Sequence, residues 1–138
     1  MSHITVVKNI VIKDVNILKK AISRLNGKIL NNKVLASPYA KVIVDYVIDF
    51  DGITIGLVKH EDGFHLAGDM YFPEVRTLVN KVYQQYTVEL VKDTYQSEGY
   101  QIEEKVNKDG DVELTVYMED AEVVVWKLLK LRLINMVK

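Results

Sequence analysis

The chain contains no cysteine. Disulfides, thiolate metal sites, iron–sulfur ligation and a cysteine nucleophile are therefore excluded. It has no surplus of positive charge either. Eighteen basic residues face nineteen acidic ones, a formal net charge of -1, whereas a duplex-binding surface shows a clear excess of Lys and Arg. No apolar run approaches the roughly 20 residues that span a bilayer. The opening "MSHITVVKNIVIKD" is broken by Lys8 and Asn9 and has no small-residue cleavage site, so no signal peptide is expected and the protein reads as cytoplasmic. There is no phosphate-binding glycine loop, Walker pattern, GxSxG elbow or HExxH helix, and so no familiar catalytic kit. Internal repeats, low-complexity tracts and linkers are also absent.

What is present is the composition of one globular domain, 138 residues long with 49% hydrophobic and 27% charged residues. That length suffices for a single core. Ile4, Val6, Ile10 and Ile12 alternate with Thr5, Val7, Asn9 and Lys13, predicting a first strand. Asp14 is placed to cap a helix carrying Val15, Leu18, Ile22 and Leu25 at helical spacing, and Asn26-Gly27 supplies a left-handed stop. In "KVIVDYVIDF", Val42, Val44, Tyr46, Ile48 and Phe50 take one strand face, with Asp45 and Asp49 on a wet outer face. Asp51-Gly52 and "HEDG" are hairpin turns, so three strands form an antiparallel meander.

Pro73 opens a long helix with apolar residues Val75, Leu78, Val79, Val82, Tyr86, Leu90 and Val91, running to a stop at Gly99. Gln84-Gln85 is a candidate bend in it. A last hairpin, "YQIEEKV", "NKDG", "DVELTVYM", precedes the tail. The expectation is a two-layer α+β fold. One antiparallel sheet, made of N-terminal strand, meander and C-terminal hairpin, packs with two main helices. This domain covers residues 1–120, and a helical extension covers 121–138. The β-branched run "EVVVW" leaves helix or strand open at 121–125.

Four segments carry a resemblance: "MSHIT" followed by a capping acid and "ILKKAISRLNG"; "DGITIGLVKHEDGFHLAGDMY"; "QQYTVELVKDTYQSEGY"; and "IEEKVNKDGDVELTV". In order and spacing they resemble an uncharacterised family that includes the plastid-encoded hypothetical chloroplast reading frame number thirty-five. The similarity spans Met1 to Asp120. It implies no established activity and carries over no catalytic residue. His3 and Asp69 are the matched polar positions. Met70, Tyr71, Phe72 and Pro73 stand where the family tends to place a tryptophan-rich segment, and the tail "AEVVVWKLLKLRLINMVK" lies outside the resemblance.

"HEDGFHLAGDMYF" is the densest cluster of chemistry-bearing residues. As a turn, His60, Glu61 and Asp62 are solvated and Gly63 supplies the positive φ. His65 and Asp69 share a strand face but lie about 13 Å apart by strand rise, too far to hold one ion without help. No metal is expected here. The catalytic alternative is a small enzyme in which His3, His65 and Asp69 converge and the carboxylate raises imidazole basicity. Asp45 and Asp49, again about 13 Å apart, exceed the roughly 5–9.5 Å of glycosidase pairs. Tyr83, Tyr86 and Tyr95 sit among Gln84, Gln85, Glu89 and Asp93, which favours core edges and a protein interface over base stacking.

Wound as a helix, the tail gathers Lys127, Lys130, Asn135 and Lys138 on one side. Val124, Trp126, Leu128, Leu129, Leu131, Leu133, Ile134 and Val137 cover more than a one-third stripe. Its cover is the protein's own sheet, a second copy or a membrane surface. The residues expected in an interface are Trp126, Leu129, Leu133, Ile134 and Val137. These features predict a non-catalytic accessory or regulatory protein, homodimeric, acting through protein–protein contacts and needing no cofactor. A nucleic-acid-binding module is the third possibility, resting on the basic side of the tail with Lys19, Lys20 and Arg24.

Overall fold

A computed structural model describes residues 4–7, 11–117 and 123–128. The first helix, α1 (Val15–Arg24), begins where the Asp14 carboxylate accepts the Ile17 amide at 3.1 Å. Ile17, Leu18, Ala21 and Ile22 form its buried stripe. At its end the left-handed position falls on Asn26 (φ 61), which tolerates it better than a branched residue. Gly27 serves packing instead, because a Cβ there would enter the Phe50 ring.

The main sheet has the order β1-β7-β6-β5-β2, every pair antiparallel. Its strands are β1 (Ile4–Val6), β2 (Lys28–Leu30), β5 (Tyr46–Phe50), β6 (Ile53–His60) and β7 (Gly63–Asp69). Asp51 (φ 54) and Gly52 (φ 94) give the β5–β6 turn the two left-handed residues it requires. Gly63 (φ 138) opens β7. The meander read from the sequence is therefore present. Ile48, Phe50, Ile55, Leu57 and Leu66 pack one sheet face against α1 and the first half of α2 (Pro73–Gln96).

The other face was expected to stay wet, and it does not. Residues 41–50, read as one strand, divide into β4 (Lys41–Ile43) and β5. β4 turns back onto β3 (Val34–Ala36) as a two-stranded hairpin. Leu35 and Val44 of this hairpin layer bury Val47 and Ala67, with Ile4, Val6 and Val58 packed around them. Gly56 lies beneath, where a Cβ would come within 2.8 Å of Val44 Cγ1. The crossing between layers is fixed at Asp45, whose amide donates to Leu57 O and whose carboxylate accepts the Lys59 amide at 2.7 Å. Val42 and Val44 thus belong to a different core from Ile48 and Phe50. Simple alternation along the sequence could not reveal that change of layer.

α2 runs unbroken through Gln84-Gln85. Gln84 is not a bend but a tether, its side-chain amide donating to Gly110 O at 2.8 Å. Twenty-four residues make a rod of about 36 Å, which carries the chain beyond the first sheet. The C-terminal hairpin, β8 (Gln101–Val106) and β9 (Val112–Tyr117), consequently does not join the main sheet as expected. It forms a separate sheet of order β10-β9-β8 with β10 (Val123–Leu128). Val112 and Leu114 pack on Val88 and Val91, flanked by Tyr95 and Ile102. The helix expected over 121–138 is corrected at 123–128, which is a strand registered against β9, as its β-branched run favours.

Candidate functional site

The polar cluster singled out in the sequence lies along β7 and the turn before it. Its members face the hairpin side of the sheet, since His65 stands opposite Val58 and Ala67 opposite Gly56 and Val6. His65 is 2% exposed, not a solvated strand residue. Its Nδ1 lies 3.1 Å from Val7 O, and its Nε2 lies 2.9 Å from Asp62 Oδ1. Both neighbours are acceptors. A neutral imidazole donates to one of them, and an imidazolium donates to both. Asp62 responds in kind, its carboxyl held below the usual carboxylate range chiefly by the hydrogen bond from His65.

His60 completes the group. Its ring stands edge-on to His65 at a centroid distance of 4.8 Å, and its Nε2 is buried without a hydrogen-bond partner among the described residues. The turn is thus more than a solvated loop: Asp62 and His65 bridge it to the segment after β1. The residues still do not build a ligand cage. Among the described residues no three His, Asp or Glu side chains converge to hold a metal ion. Both ring nitrogens of His65 face acceptors of the protein itself.

Asp69 sits at the opposite end of β7. It is 4% exposed, pairs in register with Ile4, and accepts the Tyr71 amide at 3.2 Å while its carbonyl accepts the Phe72 amide. That turn brings the chain to Pro73, the first residue of α2. Beside Asp69 opens a cavity of about 220 Å³ edged by Ser37, Pro38, Thr54 and Glu74. Two residues of β7 that share a face therefore serve different ends of the sheet, and the structure does not bring His65 and Asp69 together. His3 lies outside the described residues. Asp45 and Asp49 are likewise not a pair: Asp45 binds the Lys59 amide and Asp49 the Gly52 amide.

The tyrosines divide by role. Tyr83 is fully buried, and burial pushes its hydroxyl up to about 12. Tyr86 offers its hydroxyl to the amides of Lys13 and Asp14. Of the expected interface residues, Trp126 falls in β10 opposite Leu114, on a strand and not a helix. Leu129, Leu133, Ile134 and Val137 lie outside the described residues.

The sequence reading missed a surface feature. Val34 and Ile43 form a cross-strand pair on the hairpin layer, 43% and 84% exposed, with Tyr39 of the connecting loop 74% exposed. Leu35 and Val42, their chain neighbours, point into the second core. A short strand flanked by lysines gives no signal of which face is covered.

Fold and site together define a small α+β module with two sheets packed along one long helix. The chain belongs to the family described as "Protein of unknown function (DUF1257)", which matches residues 21–115. The match runs from α1 into β9, leaving β1 and β10 outside. It is narrower than the resemblance read from the sequence and agrees with an uncharacterised family. No curated protein and no solved structure matches the chain. Among the described residues no helix is long and apolar enough to cross a membrane.

Proposed function

We propose that the protein is a non-catalytic accessory or regulatory module of the cytoplasm that works through protein–protein contacts as a homodimer. The observation that carries this reading is the exposed Val34–Ile43 pair with Tyr39 on the hairpin layer. Grouped large apolar side chains at the surface favour a protein neighbour. Of the catalytic candidates His3, His65 and Asp69, the two among the described residues, His65 and Asp69, are held in hydrogen bonds to the chain itself. The apolar character of 129–138 in the sequence supports the same reading.

Light scattering of the full chain tests it. The expected mass is twice 15.8 kDa, and a monomer throughout a concentration series refutes the homodimer. A Val34→Lys/Ile43→Lys variant, folded by circular dichroism, then assigns the patch. Dissociation makes it the contact between copies. A persistent dimer leaves the patch to another protein.

A further inference from the structure

The three-stranded sheet ends in an edge that complements itself. β8 is paired on one side only, with β9, and among the described residues no backbone hydrogen bond runs from its other side. Gln101, Glu103, Glu104, Lys105 and Val106 are exposed, and Val106 leaves 61% of its surface in water although it is aliphatic. An open edge of this kind offers a row of unpaired amides and carbonyls to another strand. Natural edges discourage such pairing with charge. Here the charges are of both signs, so their effect depends on what the incoming strand presents.

We infer that β8 pairs antiparallel with β8 of a second copy, about a two-fold axis at Glu104, to make a six-stranded sheet across the dimer. The inference rests on the homodimer reading and places its contact at β8, which leaves the Val34–Ile43 patch to another protein, so dissociation of the folded Val34→Lys/Ile43→Lys variant argues against β8. The two-fold places residue i opposite residue j and j opposite i. With Glu104 on the axis, Glu103 faces Lys105 of the second copy and Lys105 faces its Glu103, two opposite-charge pairs. Ile102 faces Val106, and Val106 faces Ile102, on the side of the sheet where Val112 and Leu114 pack on α2. Gln101 faces Asn107, amide against amide. Every pair but one is attractive.

The exception is Glu104 against itself. Each Glu104 carboxylate already has a cation, since Lys92 Nζ of α2 lies 3.3 Å away. The axis therefore meets two neutralised pairs. Other registers lose these matches. Moving the axis to Glu103 or Lys105 sets like charge on like, and leaves Val106 facing Tyr100 or Glu104. Within one chain Glu103 already accepts from the Tyr117 hydroxyl at 2.9 Å and lies 3.5 Å from Lys105 Nζ, so the exposed valine is the feature that a solitary solvated edge does not explain.

Charge exchange tests this register without disturbing the core, because Glu103 and Lys105 are exposed. Glu103→Lys alone sets the introduced ammonium against Lys105 twice across the axis, and Lys105→Glu alone sets acid against acid twice. Each variant is expected to dimerise more weakly than the unaltered chain, on the order of tenfold to a hundredfold, by analytical ultracentrifugation. An equimolar mixture of the two restores both opposite-charge pairs and is expected to recover the dimer, as is the Glu103→Lys/Lys105→Glu double variant. Single variants that dimerise as well as the unaltered chain overturn the β8 contact and leave the homodimer standing. So do variants whose mixture fails to recover. An unaltered chain that stays monomeric at every concentration overturns both.

Discussion

Tyr83→Ala is expected to lower the unfolding free energy by about 3–5 kcal/mol, a large share of the roughly 5–15 kcal/mol that holds a domain of this kind folded. Tyr83 is 1% exposed and belongs to the core between α2 and the main sheet. Its replacement leaves a ring-sized hole that α2, fixed at both ends, closes poorly. Urea unfolding checks the figure, and a loss below about 1 kcal/mol contradicts the packing. The hydroxyl adds a pH signature. Burial raises it from 10.0 to about 12, so the folded state favours the neutral phenol. Its contribution is complete below the unfolded value and is lost as pH rises through the folded one. Tyr83→Phe is expected to remove that alkaline limb while keeping the ring's packing.

His65→Ala should rank second, costing about 2–4 kcal/mol through lost packing and the loss of the imidazole beside the Val7 carbonyl and the Asp62 carboxylate. Its companion is Asp62→Asn. The Asp62 carboxyl is depressed in the folded chain, mainly by the bond from His65. Its stabilising effect is present above the ordinary carboxylate range and is lost as pH falls through the folded value. Both variants are expected to flatten the acid limb of the stability profile. Acid limbs that superimpose on the parent's would remove His65 as the cause of the shift.

Much of the local structure was legible because single residues dictate it. Asp14 as a cap, Asp51-Gly52 as a tight turn and Pro73 at a helix start are statements about a few neighbouring dihedrals, and each is found where it was expected. Layering was not legible. Val42 and Val44 continue the alternation of Ile48 and Phe50, yet they serve the opposite side of the sheet, because Asp45 turns the chain between them. No periodicity records a change of partner.

The candidate site divides in the same way. The distance between His65 and Asp69 follows from their places in one strand. The engagement of His65 with Val7 depends on where the segment after β1 passes, a contact between residues 58 positions apart. Strand or helix was open in the sequence only at 121–125, and the strand runs on to Leu128, where a helix was expected.

The length of α2 has one more consequence. Its apolar residues up to Tyr86 pack in the core of the main sheet and Val88 and Val91 in that of the three-stranded one, while Arg24 and Lys20 of α1 hold Glu89 and Asp93. A single rod thus serves two neighbourhoods, each with its own threshold for coming apart. Amide exchange along it should show a step near Thr87, the distal turns opening while the proximal ones stay closed. Whatever grips the outlying sheet would then tighten the distal turns of the spine, adding to the hold that Arg24 and Lys20 of α1 supply.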